Sequence, residues 1–155
     1  RGPPSSSWDM HGGNMGMGNA FGNGSYGMGF CLPRLDQGLF GLFTDLKSRG
    51  LMDDTLVVVM GEFGRTPKVL TQQPPGRQHW PQCFSAILAG CGIRGGAVYG
   101  KSDKVGAAPE SNPVHPQDIH ATVLHAMGIP LDPATENSGV ARPLTSGKPL
   151  YDLFG

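Results

Sequence analysis

The chain has 155 residues, a length that fits one domain, and we expect residues 1–155 to form a single, partial domain. Only 15% of the residues are charged and the formal net charge is zero, which argues against binding nucleic acid or an acidic membrane through a charged surface. No apolar run approaches the roughly 20 residues that cross a bilayer, so no membrane span is expected. The chain starts at Arg1 without a signal-peptide pattern, which favours the C-terminal part of a longer protein.

The first half of the chain contains a low-complexity segment and a helix. Residues 14–29 are rich in Gly, Met and Asn, and we expect a mobile loop there because glycine loses much backbone entropy on folding. Residues 33–49 predict a helix that begins at Pro33 and is followed by Gly50, a residue suited to the left-handed position after a helix. Its apolar stripe consists of Leu35, Leu39, Leu42, Phe43 and Leu46.

A strand is predicted over residues 55–60, where six apolar or β-branched residues follow one another. A continuous run, unlike an alternating one, suits a central parallel strand that is buried on both faces. The helix, a short turn and this strand would form half of a right-handed βαβ crossover whose first strand ends near Asp9. The fold class expected from these elements is α/β.

The second half of the chain predicts shorter elements. Residues 84–89 form a second apolar run that suits a strand, and residues 97–99 are a candidate for a third. Residues 101–114 are expected to be irregular. A second helix is predicted over residues 116–128, with Asp118 as a carboxylate in its first turn.

Three cysteines occur without a C-x-x-C spacing: Cys31, Cys83 and Cys91. An odd number at wide gaps indicates neither a disulfide framework nor a structural zinc site. A bridge between Cys83 and Cys91 stays open as an alternative, but buried free thiols are the favoured interpretation.

Polar side chains that suit chemistry lie at the ends of the predicted strands or in adjoining loops. In parallel sheets, ligands bind beyond the carboxyl ends of strands. Carboxylate and imidazole together suit zinc, manganese or iron better than calcium, and two arginines are candidates for clamping a phosphate or sulfate. The alternative for these arginines is capping of carbonyls or pairing with Asp53 or Asp54. The candidate residues are Asp9, His11, Glu62, Arg65, Arg77 and His79.

Four stretches together resemble the signature of one bacterial family. They are residues 49–59 followed by Gly-Glu-Phe-Gly-Arg-Thr-Pro, Gly-Arg-Gln-His-Trp-Pro at 76–81, Trp-Asp-Met-His-Gly at 8–12, and Val-Tyr-Gly-Lys-Ser-Asp at 98–103. The chain is similar from Trp8 onward, apart from the Gly/Met-rich insertion, to an uncharacterised, sulfatase-like family of exported proteins in the alkaline phosphatase superfamily. The resemblance implies an α/β/α sandwich with a mostly parallel sheet and an extracytoplasmic location.

The resemblance also implies a metal-dependent hydrolase of phosphate or sulfate esters, acting on small molecules or glycans. Asp9, His11 and His79 would be ligands of one divalent ion, with zinc first and manganese or calcium as alternatives, and Glu62 would belong to a second site. Arg65 and Arg77 would bind the substrate. Phe63 departs from the pattern, because it stands where the superfamily has a metal-binding histidine.

The nucleophile of this superfamily belongs to an N-terminal strand that the sequence lacks. We therefore expect the hydrolase to be incomplete in this chain, with no catalytic nucleophile of its own. The alternative is a non-catalytic module that binds sulfated or phosphorylated ligands or a protein partner. A truncated, poorly folded fragment is a third hypothesis, and the substrate and the oligomeric state are left open.

Overall fold

The computed structural model describes residues 8, 10–11, 28–71, 75–131, 134–135 and 141–155. Within them the chain forms two α-helices, short β-strands and a terminal 3-10 helix. The helices are α1 (Met28–Ser48) and α2 (Pro116–Ala126), and the 3-10 helix is Tyr151–Leu153. The strands are β1 (Val57–Met60), β2 (Gly64–Arg65), β3 (His79–Trp80), β4 (Ala86–Ala89), β5 (Lys101–Ser102), β6 (Pro109–Ser111), β7 (Ala134–Thr135) and β8 (Ala141–Arg142).

The strands pair antiparallel, which overturns the predicted fold class. Four two-stranded sheets are formed by β1 with β4, β2 with β3, β5 with β6, and β7 with β8, and each pair is antiparallel. The prediction of a mostly parallel sheet in an α/β/α sandwich is therefore wrong for the described residues. An apolar run indicates that a segment forms a strand, but it does not indicate whether the neighbouring strand is parallel or antiparallel. The predicted direction of pairing was wrong for this reason.

Strand β1 also differs from its prediction in length and burial. It spans Val57–Met60 and its residues alternate between half-buried and exposed. Val58 and Met60 are 37% and 44% exposed, so the strand is not buried on both faces. In the described part of the chain β1 has a single neighbour, β4, in a register that runs from Val57 opposite Ala89 to Met60 opposite Ala86.

Helix α1 begins earlier than predicted. It starts at Met28, so Pro33 lies inside it instead of at its first position, where its missing N–H costs one helical hydrogen bond. Met28 and Cys31 are buried, and their burial offsets that cost. The prediction of a mobile loop over residues 14–29 is therefore wrong for residues 28 and 29, which belong to α1. Its remaining part, residues 14–27, lies outside the described residues.

The predicted stripe of α1 is only partly buried. Leu46 is buried, whereas Leu42 is 43% exposed, and the other three stripe residues are half-buried. Gly50 has a φ of +69°, so its predicted left-handed conformation after the helix is confirmed.

The chain divides into two compact units. The first takes the described parts of 1–49, 61–85 and 103–108, with α1 and the β2–β3 hairpin, and its buried apolar residues are Met28, Cys31 and Leu46. The second takes those of 50–60, 86–102 and 109–155, and its buried residues are Ala121, Thr122 and Leu153.

In the second unit, α2 lies where a helix was predicted, and Asp118 lies in its first turn as predicted. The carboxylate of Asp118 accepts hydrogen bonds from the backbone N–H of His115 and of Lys148, both at 2.9 Å.

The expected strand at 97–99 is absent. Instead β5 and β6 pair within the segment expected to be irregular.

No disulfide joins the three cysteines, as the sequence favoured, but only Cys31 of the three is buried. Cys83 and Cys91 are each half-buried.

No described helix is both long enough and apolar enough to cross a membrane.

Candidate functional site

The site is built on the β2–β3 hairpin of the first unit. Arg65 on β2 lies directly opposite His79 on β3, and Gly64 lies opposite Trp80. Residues that face each other across an antiparallel pair project from the same face, so Arg65 and His79 are neighbours there. The backbone N–H of Thr66 donates to the carbonyl of Gln78 at 2.9 Å and continues the hairpin beyond the strands.

His11 joins this face from a distant part of the chain. Its Nε2 lies 3.2 Å from Nη1 of Arg65, and its ring centroid lies 4.6 Å from that of His79. The residue before His11 is bonded to the loop that precedes β3, because the carbonyl of Met10 accepts a hydrogen bond of 2.7 Å from the backbone N–H of Arg77. A guanidinium has only donors, so a hydrogen bond between the two groups requires Nε2 of His11 as the acceptor.

Phe63 completes what we call the His–Arg cluster: His11, Phe63, Arg65 and His79. The Phe63 ring lies 4.1 Å from the His79 ring at an interplanar angle of 38°, and the guanidinium carbon of Arg65 lies 5.7 Å from the Phe63 ring centroid. Phe63 lies in the bend just before β2, and these two contacts put its ring on the side of the hairpin that carries His79. The aromatic ring therefore restricts the orientation of the imidazole beside it.

Arg77 supports the cluster through the backbone of β2 and the residue after it. Its Nε donates to the carbonyl of Thr66 at 2.6 Å, and its Nη2 donates to the carbonyl of Arg65 at 3.2 Å. These contacts correspond to the carbonyl capping that the sequence offered as the alternative to substrate binding. They fix the backbone of β2 at the residue whose side chain contacts His11.

The other candidates are not part of the cluster. Glu62 is exposed at the bend before β2, and Asp9 lies outside the described residues. In the described part of the chain, no three His, Cys, Asp or Glu side chains are grouped so that they could hold a metal ion. Of the expected ligand set, the structure brings together His11 and His79.

The charge of the cluster suits an anion. Arg65 is half-buried, and within the described residues it makes no ion pair with a carboxylate; the ion pairs there are Arg49 with Asp45 and Lys101 with Glu110. A partly desolvated guanidinium beside two imidazoles favours a bound carboxylate, phosphate or sulfate. His79 is exposed, so such a group can reach the cluster from solvent.

Sequence reasoning missed the contribution of Phe63, which it treated only as a departure from a metal-binding pattern. No local signal could have found it, because Phe63 lies in a bend outside the strands and its contact with His79 depends on the fold of the hairpin. Sequence reasoning also gave no role to Trp80, whose indole Nε1 donates to the carbonyl of Ala107 at 2.7 Å.

Within the described residues, these elements are two α-helices and antiparallel strand pairs, and the β2–β3 pair carries an imidazole–guanidinium cluster. The family model described as "Protein of unknown function (DUF1501)" matches residues 4–154, and the chain belongs to that family. No curated protein and no solved structure shows a significant match to the chain. The match supports an uncharacterised domain family; the sulfatase-like activity expected from the resemblance goes beyond it.

Proposed function

We propose that the His–Arg cluster binds the anionic group of a phosphate or sulfate ester, and that the intact protein is a metal-dependent hydrolase of such esters. The observation that carries the proposal is the convergence of Arg65, His11 and His79, with Nη1 of Arg65 3.2 Å from Nε2 of His11 and the two imidazole centroids 4.6 Å apart.

Arg65 supplies the charge for this role. Its planar guanidinium offers several N–H donors that can bind two oxygens of a phosphate or sulfate at once. Charge on these oxygens is redistributed in the transition state of ester cleavage, so a fixed guanidinium is a source of rate enhancement as well as affinity. The contacts of Arg77 with the backbone of β2 keep Arg65 in place for this purpose.

A divalent ion fits the cluster in part. Two imidazoles at this separation are suitable nitrogen ligands for zinc, and a catalytic zinc site has three protein ligands. His11 and His79 would supply two of them, and Asp9 is the proposed third. When bound, the ion would polarise the ester oxygen. A zinc ion bound through Nε2 of His11 would compete with the Arg65 guanidinium for that nitrogen.

A non-catalytic anion-binding module is the second candidate function. The observation that favours it is Phe63, which packs 4.1 Å from His79 at the position where the resemblance implies a metal-binding histidine. Phenylalanine cannot bind a metal, and here it holds an imidazole instead. In this case the cluster would recognise a sulfated or phosphorylated group without the ion and without cleavage.

The two functions are separated by calorimetric titration of the purified chain with zinc and with inorganic sulfate and phosphate. The hydrolase proposal predicts that His79→Ala and His11→Ala each weaken zinc binding by about tenfold or more, because each removes a ligand. His120→Ala, at an exposed position on α2, is the matched control and should leave both affinities unchanged. Unchanged zinc affinity in His79→Ala overturns the metal site, and sulfate binding without zinc binding favours the second candidate.

A further inference from the structure

The six residues that connect β5 to β6 form a turn organised by one carboxylate. Oδ1 of Asp103 accepts hydrogen bonds from the backbone N–H of Val105 at 3.1 Å and of Ala107 at 2.8 Å, and Oδ2 accepts from Ala108 at 3.2 Å. The backbone N–H of Asp103 in turn donates to the carbonyl of Ala108 at 2.9 Å. The carboxylate therefore sets the path of this whole turn, which we call the Asp103 turn (103–108).

These bonds are charge-assisted, and they stabilise the ionised carboxylate. The hydrogen bond from Ala107, with those from Val105, Ala108 and Gly106, holds the pKa of Asp103 below its usual value. Asp103 is ionised at neutral pH, and the turn is formed around a fixed negative charge.

The Asp103 turn makes one directed contact with the hairpin that carries the cluster. The carbonyl of Ala107 accepts a hydrogen bond of 2.7 Å from Nε1 of Trp80. An indole has a single donor, so this bond fixes the orientation of the ring as well as its position. The contact lies within the first unit, between a turn and the second strand of the hairpin.

Trp80 follows His79 on β3, so the two side chains leave the strand on opposite faces. A strand whose rear side chain is fixed is restrained from rotating about its axis, and this restrains the direction in which the His79 side chain leaves the strand. The rear of the hairpin is also tightly packed, because a Cβ at Gly64 would collide with the backbone carbonyl oxygens of Cys83 and Trp80. Contacts on the rear of the hairpin therefore restrain the direction of the Cα–Cβ bond of His79 on its front.

We infer that Asp103 is a positioning residue for the His–Arg cluster, acting through the Ala107 carbonyl and the Trp80 indole. It does not contact the ligand; it holds the strand on which His79 lies. The inference concerns the geometry of His79, and its effect on ligand binding rests on the proposed function.

The test compares Asp103→Ala with Asp103→Asn, Trp80→Phe and a matched charge removal, Asp36→Ala, at an exposed position on α1. The first readout is the Trp80 indole N–H in two-dimensional nitrogen–proton spectra, assigned by its loss in Trp80→Phe. Asp103→Ala should shift this resonance and speed its exchange with solvent. Asp103→Asn retains one oxygen acceptor and should show a smaller change in the same direction.

The second readout is the affinity for zinc and for inorganic sulfate. We expect Asp103→Ala to weaken the binding of both by about three- to tenfold, the range set by loss of a hydrogen bond. Trp80→Phe should weaken it similarly, and the double variant should be no weaker than either single one, because both act through one contact. Asp103→Asn should restore most of the affinity.

The outcomes separate the two proposals. If the wild-type chain binds neither probe, the proposed function fails, and the indole resonance still decides the role of Asp103. The positioning role of Asp103 is overturned if Asp103→Ala and Asp36→Ala give the same Trp80 indole resonance and the same His79 ring resonances. Should Asp103→Ala not fold, as judged by circular dichroism, the same comparison is made with Asp103→Asn, and an unchanged indole resonance there is equally contradictory.

Discussion

Nε2 of His11 lies 3.2 Å from Nη1 of Arg65, although 54 positions separate the two residues in the chain. The contact joins a segment near the start of the sequence to a two-stranded hairpin, and it places a permanent positive charge beside an imidazole. A nitrogen that accepts from a guanidinium is unavailable to a metal ion. Under the proposed function, this contact favours an anion at the cluster, and a metal ion would bind through Nε2 only after Arg65 moves away.

Replacing Arg65 by Met should change the two affinities in opposite directions. The substitution removes the donor that occupies Nε2 of His11 and a like charge that repels a cation, so zinc binding should strengthen. It also removes the main donor to an anion, so sulfate binding should weaken by about tenfold or more. Calorimetry with each probe measures both effects.

The control for that substitution is Arg49→Met, which breaks only a surface ion pair of 2.8 Å with Asp45. Exposed pairs of this kind contribute about 0–1 kcal/mol, and neither affinity should change. Zinc binding that weakens in Arg65→Met would contradict the competition for His11.

Gly64→Ala should destabilise the first unit, whereas Gly38→Ala should stabilise it. A methyl group at Gly64 would collide with backbone carbonyls of Cys83 and Trp80, which cannot move without opening the hairpin. At Gly38, within α1, an added methyl group meets no atom within 4 Å, and alanine is the better helix residue by about 0.5–1 kcal/mol. Urea unfolding of the three proteins measures the difference, and equal midpoints would contradict it.

Thr122→Val should destabilise the second unit by about 1–3 kcal/mol, the penalty for a buried group that loses its partner. The Thr122 hydroxyl is fully buried, donates to the carbonyl of Asp118 at 2.6 Å and accepts from the N–H of Leu150 at 2.9 Å. Valine has nearly the same shape but leaves that N–H unpaired. The exposed Thr71→Val is the control, for which thermal unfolding should be unchanged.

Stability should fall in acid because of Asp118. Hydrogen bonds from the backbone N–H of Lys148 and of His115 hold the pKa of its carboxyl below the usual value. A group with a lowered folded pKa contributes stability that is complete above the unfolded value of about 4 and is lost as the pH falls through the folded value. The stability difference between wild type and Asp118→Asn should therefore shrink below about pH 4. A difference that stays constant down to about pH 2 would contradict this assignment.

The helices were the most predictable part of the fold, because apolar spacing and end signals act locally. Gly50 and Asp118 lie where the sequence placed them, next to α1 and in the first turn of α2. The start of α1 was not predictable, since Pro33 is a signal for a first turn and only tertiary burial of Met28 and Cys31 shows that the helix continues before it.

The direction of strand pairing could not be predicted from the sequence. The apolar runs that became β1 and β4 are compatible with either direction, and the structure pairs them antiparallel. Strands β5 and β6 were missed because they contain no apolar run. They are joined instead by backbone pairing and by an ion pair of 2.7 Å between Lys101 and Glu110.

The candidate site was predictable as a set of residue types but not as a geometry. A strand end followed by Arg65, and a histidine before Trp80, indicated where chemistry could lie. That Arg65 and His79 face each other across one hairpin depends on a register that the sequence does not encode locally. The contact of Trp80 with Ala107 depends on a third segment, and no spacing rule connects them.

The His–Arg cluster as a binding site is tested most directly by following the five histidines of the chain in NMR spectra during titration with zinc and with sulfate. We expect the ring resonances of His11 and His79 to shift together and saturate together, while those of His115, His120 and His125 stay unchanged. A ligand that shifts the latter three and leaves His11 and His79 unchanged would contradict the His–Arg cluster as the binding site.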